Sequence, residues 1–90
     1  MTLPERPQQR PDLVFRQIDD DFVVYDPVSD HTLLLNASSA AVLELCDGTR
    51  TVDDMANEVA AAFQVEPSAV HAEVVSSLEQ FARRSFLEPA

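Results

Sequence analysis

The stretch HTLLLNASSAAVLELCDG, His31 to Gly48, contains a change of periodicity, and the fold follows from where that change falls. HTLLL is short and apolar and reads as a β-strand. Asn36 follows it, with a side-chain oxygen suited to accept from the free amides of a helix start. Beyond Asn36, the residues Ala40, Leu43 and Cys46 recur three apart, as one face of an α-helix does. Gly48 is the only glycine of the chain and stands where that helix is expected to stop.

Upstream, LVFRQI (Leu13–Ile18) and FVVYD (Phe22–Asp26) are β-branched and aromatic and read as two further strands. Asp19–Asp21 and Pro27–Asp30 are the turns between them, the second with residue types that preset or bond the backbone of a turn. The first half is therefore a three-stranded antiparallel meander. Downstream, TVDD (Thr51–Asp54) fits a capping box. It opens a second helix to about Gln64, with Val52, Met55, Val59 and Phe63 on one face. Pro67 suits the first turn of a third helix, which runs to about Arg84 with Val70, Val74, Leu78 and Phe81 aligned. FLEP at the end adds a short extended piece. Residues 1–12, rich in proline and glutamine, are expected to be a disordered or extended arm, and residues 13–90 one domain. The order β-β-β-α-α-α is an α+β layout, a three-stranded antiparallel sheet covered on one face by three helices, the last two forming a helix-turn-helix-like pair.

Charge narrows the function. Sixteen acidic residues stand against six basic ones, all arginine, for a net charge of −10. Nucleic-acid binding draws its affinity from neutralising phosphates, and this chain has no basic face of the usual size for that. Its third helix carries Glu73 and Glu79, with Arg83 and Arg84 only at the end, whereas a recognition helix places its base-reading residues near its start. Anionic membrane surfaces are equally unfavourable, and no run approaches the roughly 18 apolar residues of a membrane span. With one cysteine and no apolar amino-terminal run, a cytoplasmic setting is expected.

Catalytic and metal chemistry find little support. His31, His71 and Cys46 lack the number and spacing of a zinc set. The aspartates 19–21 lack the alternation and glycine of a calcium loop. Cys46 sits on an apolar helix face, where it acts as a small hydrophobe. One glycine cannot build a phosphate loop, and no nucleophile–base pair is visible, so neither an enzyme nor a bound cofactor or metal is expected. An acyl carrier reading fails for want of an Asp-Ser-Leu triplet.

Binding remains. A meander has two open edges, and HTLLL, its last strand, has no lysine or proline to blunt its own. An extended peptide could add there as a fourth strand. The bland use of Leu33, Leu34 and Leu35 is as core, but alternation puts Leu34 on the face opposite Leu33 and Leu35, so one buried face cannot hold all three.

Four motifs, LLLN, SAAVLELCDG, TVDDMANEVAAAF and VHAEVVSSLEQFARRSFLE, occur here in that order. Together they resemble the PqqD family and the PqqD-like peptide-recognition domains of ribosomal peptide natural-product pathways, over about Leu13 to Glu88. Leu35–Asn36 match the pair that closes the family's third strand, Asp47–Gly48 its aspartate–glycine, and Arg50–Asp54 its entry to the second helix. The stretch from Asp21 to Asn36 is similar to the branch found beside HPr-kinase-related proteins. Two of the family's usual glycines appear here as Asp30 and Ser85.

The resemblance implies a winged helix-turn-helix and no catalysis. It implies a peptide chaperone that takes the leader of a precursor peptide by β-strand addition. The leader is presented to a modifying enzyme such as a radical S-adenosylmethionine protein, for coenzyme PQQ or a related product. It places the groove between His31, Thr32, Leu33, Leu34 and Leu35 on one side and His71, Val74, Val75 and Leu78 on the other. The alternative is an acidic winged-helix regulator or adaptor that binds another protein or, less readily, DNA. A purely structural subunit of a larger enzyme is a third reading. A homodimer through open edges is compatible with each.

Overall fold

The computed structural model describes residues 3–88. Its elements are β1 (Val14–Ile18), β2 (Asp21–Asp26), β3 (His31–Leu35), α1 (Ala37–Leu45), α2 (Val52–Phe63) and α3 (Pro67–Arg83). The three strands form one antiparallel sheet in the order β1-β2-β3. Register puts Phe22 opposite Leu35, Val24 opposite Leu33 and Asp26 opposite His31. Alternation then sorts the side chains. Phe15, Phe22, Val24, Leu33 and Leu35 face the helices, with the rings of Phe15 and Phe22 stacked at 6.3 Å. Ile18 and Leu34 face outward.

The expected helix starts are built as the sequence suggests. Asn36 accepts from the Ser39 amide at 2.8 Å. Thr51 and Asp54 form a reciprocal capping box, and Pro67 opens α3. The core gathers Leu43, Met55, Val59, Val74, Leu78, Phe81 and Phe86, all at most 1% exposed. Phe63, expected on the core face of α2, is instead 45% exposed, because it stands at the last turn, where the chain leaves the helix.

Gly48 does not end α1, which stops at Leu45 with Cys46 as its cap. Gly48 lies in the following loop with φ +84, and a Cβ there would come within 2.9 Å of the Gln8 side chain. Its role is tied to the amino-terminal segment. The expected disordered or extended arm is in its described part, residues 3–12, packed against the domain; Met1 and Thr2 lie outside the described residues. The Gln9 amide donates to Cys46 O at 2.8 Å and the Gly48 amide to Pro7 O at 3.1 Å. The Arg10 amide donates to Phe86 O and the Glu88 amide to Gln8 O. Residues 7–10 thus form a strap between the α1–α2 loop and the carboxy-terminal piece, with the Pro7 side chain fully buried. The composition of this segment suggested disorder because its partners are loop backbone groups, which carry no periodic sequence signal.

Candidate functional site

β3 is an edge strand. Its only partner among the described residues is β2, and the carboxy-terminal piece that could have covered it bridges through Leu87 to Gln9 instead. Leu33 and Leu35 are buried, 9% and 5% exposed, while Leu34 is 65% exposed on the outer face of the sheet. Two of the three leucines are therefore core, and Leu34 is exposed on the face of the sheet turned away from the helices.

Across the open edge lies α3, running antiparallel to β3. At one end, His31 and Ser29 share an open depression of about 400 Å³ with Arg83, Arg84, Ser85 and Phe86. At the other, Asn36, Ala37 and Ser38 share one of about 410 Å³ with Val59, Phe63, Val70 and Glu73. Ser38 donates to the Glu73 carboxylate, and the Ser39 and Ser77 hydroxyls are 3.0 Å apart. These pairs fix which flank of α3 is turned toward β3 and the start of α1. At about 3.6 residues per turn, Glu73, Ser77, Gln80 and Arg84 fall on that flank. From Val70 to Arg84 the helix rises roughly 21 Å, the length of about six residues of extended chain.

The helix positions expected in the groove fall elsewhere. Val74 and Leu78 point into the core, 1% and 0% exposed. His71 is turned to α2, with Nε2 3.4 Å from Asp53 Oδ1, in a separate depression lined by Ala56, Asn57 and Ser68. Val75 is half-buried on that same flank. The sequence fixes the apolar face of α3 but leaves its two flanks equivalent, and His71 and Val75 lie on the flank away from Ser38 and Ser39. The signal that separates them is the polar run Glu73, Ser76, Ser77 and Gln80 on one side, a composition that suits a solvated cleft.

Sequence reasoning also missed Arg10. Its guanidinium meets Asp26 with both Nη atoms, at 2.7 and 3.2 Å, and donates to Ser85 O at 3.0 Å and to Asp12. Asp26, 2% exposed, also accepts from the Val28 amide and the Ser29 hydroxyl, both at 2.9 Å. The Arg10 guanidinium, the largest cause, holds the Asp26 carboxyl well below the usual carboxylate range. This one cluster ties the strap, the β2–β3 turn and the turn after α3 together, and so sets one wall of the depression beside His31.

Cys46 is buried, donates to Val42 O at 3.2 Å, and has its thiol pushed up to about 12 by desolvation. It has no thiolate chemistry at neutral pH. Among the described residues no three histidine, cysteine or carboxylate side chains are grouped to hold a metal ion, and no helix is long and apolar enough to cross a membrane.

A sequence family described as coenzyme PQQ synthesis protein D (PqqD) matches residues 21–87. The chain belongs to the PqqD family. Solved structures share the fold. The PqqD truncation of Methylobacterium extorquens PqqCD, described as a functional and stand-alone recognition element for ribosomally synthesised and post-translationally modified peptides, superposes with a TM-score of 0.76. Its identity is 25%, over 92% of this chain and 88% of that one. TbiB1 in complex with the TbiA(beta) leader peptide gives 0.75 at 18% identity, over 92% and 96% of the two chains. A lasso peptide synthetase B1 complexed with its leader peptide gives 0.76 at 18%, over 93% and 99%. At 18% these last two show a shared fold. No curated protein matches the chain by sequence.

Proposed function

We propose that this PqqD-family chain is a non-catalytic peptide chaperone. It takes the leader of a ribosomally made precursor as a fourth strand on β3 and presents it to a modifying enzyme. The observation that carries the reading is the unpaired edge of β3 beside a cleft walled by α3. Main-chain groups of the edge supply sequence-independent affinity, and the cleft reads the peptide side chains that point inward. Membership of the family and a fold shared with leader-bound proteins support it. The resemblance further implies a radical S-adenosylmethionine protein as the enzyme and coenzyme PQQ or a related peptide as the product. A second copy of the chain is the rival occupant of the same edge, and two such acidic surfaces repel one another.

An NMR titration of the ¹⁵N-labelled chain tests this, using leader segments of precursor-like peptides encoded beside its gene. Shifts are expected at His31–Leu35 and at Glu73, Gln80 and Arg84. Shifts confined to Asp53, Asn57 and His71, or none with any leader, would overturn it. Concentration-dependent shifts at β3 without peptide would assign the edge to self-association.

A further inference from the structure

The cleft beside β3 is electrically polar along its length. Among the described residues, Arg6 pairs with Glu5, Arg10 with Asp12 and Asp26, and Arg50 with Asp47 and Glu58, while Arg16 is unpaired on the outer face of the sheet, away from the cleft. Arg83 and Arg84 form no ion pair among the described residues, and both are exposed in the depression that His31 lines. The carboxylates nearest in sequence to His31 are already engaged. Asp26 is held by Arg10, Val28 and Ser29, and Asp30 accepts from the Tyr25 hydroxyl at 2.6 Å. The opposite end of the cleft carries the carboxylate of Glu73. A helix C-terminus favours a basic residue through its dipole. That favours an arginine in this turn but does not place two unpaired ones opposite a strand edge in a chain of net charge −10.

We infer that Arg83 and Arg84, with His31, form an anion subsite that takes a side-chain carboxylate of the docked peptide and thereby sets its direction and register. This rests on the strand-addition reading above. A fourth strand that continues the antiparallel order of the sheet runs opposite to β3. Its carboxy-terminal end then lies beside His31 and the two arginines, and its amino-terminal end beside Glu73. The preferred peptide therefore carries acidic residues directly after the segment that pairs with β3, and none before it. An all-acidic leader is disfavoured by the charge of the whole chain, so position rather than acidity is what the subsite selects.

The test presents immobilised full-length chain with four equimolar synthetic libraries of capped eight-residue peptides. Each has six randomised strand-forming positions. Three are followed by Asp-Asp, Ser-Ser or Lys-Lys, and the fourth is preceded by Asp-Asp. Retained peptide is quantified by mass spectrometry and its site read from amide shifts. The Asp-Asp-terminated library is expected to be retained about fivefold over Ser-Ser and more over Lys-Lys, with shifts at His31–Leu35. The preference is expected to shrink in 0.5 M salt, an ionic strength of roughly 4 Å Debye length. It is also expected to vanish in R83Q/R84Q and to survive in R83K/R84K; both replace exposed side chains, and circular dichroism checks the fold. Equal retention of the Asp-Asp and Ser-Ser libraries with β3 shifts present overturns the subsite and leaves strand addition standing. Equal retention of leading and trailing Asp-Asp overturns the direction. No β3 shifts from any library overturns both.

Discussion

Asp30 and Ser85 both have left-handed backbone, φ 59 and φ 60, at the two positions where the family usually has glycine. An aspartate tolerates that region comparatively well, and Asp30 is further occupied by the Tyr25 hydroxyl. Ser85 has no such tolerance, and its carbonyl is committed to Arg10. Ser85→Gly removes the Cβ conflict but frees the unfolded chain, so a net gain of about 0.5–1 kcal/mol is expected in urea unfolding. Asp26 makes a prediction of opposite character. Its folded-state carboxyl lies below the ordinary value of 3.8, so the stability it contributes is complete above that value and is lost as pH falls through the folded one. Asp26→Asn is expected to lower Tm at pH 7 and to flatten the decline of Tm between about pH 4 and pH 2, followed by calorimetry. An equally steep decline in the variant would remove Asp26 from the acid response.

Element by element, legibility in the sequence tracks how many neighbours a feature needs. The strand HTLLL and the Thr51 capping box are local, and they stand where the pattern puts them. Alternation in β3 is likewise local, and it makes a paired prediction. Leu33→Ala opens the core and is expected to cost about 2–4 kcal/mol, whereas Leu34→Thr on the outer face is expected to stay within about 0.5 kcal/mol, both by denaturant midpoint. Comparable losses at the two positions would mean that the outer face of the sheet is covered in solution. The flank of α3 was not legible, because a helix with one apolar stripe gives no sign of which side its neighbours occupy. Ser38 and Ser39 decide it, from 35 and 38 residues away in the chain. The open strand edge was thus readable by pattern, and the face that α3 turns to it only through tertiary structure.

Over the whole molecule, the buried Cys46 thiol is a reporter of cooperative opening. It lies under the strap, with the Gln9 amide bonded to its carbonyl. Alkylation by iodoacetamide at pH 7.5 is expected to be at least about a hundredfold slower in the native chain than in 8 M urea, a concentration of about the usual unfolding range. Fast native labelling would show that the strap opens apart from the rest. The strap was the least legible part of the fold, since Gln8 and Gln9 are held by groups far away in the chain, the Glu88 amide and the carbonyls of Cys46 and Leu43. The pairing of Gln9 with Leu87 also lays the amino-terminal strap alongside the piece that follows α3. A unit whose entry and exit points adjoin can be spliced into a loop of another protein, or carried at either end of one, without being pulled apart.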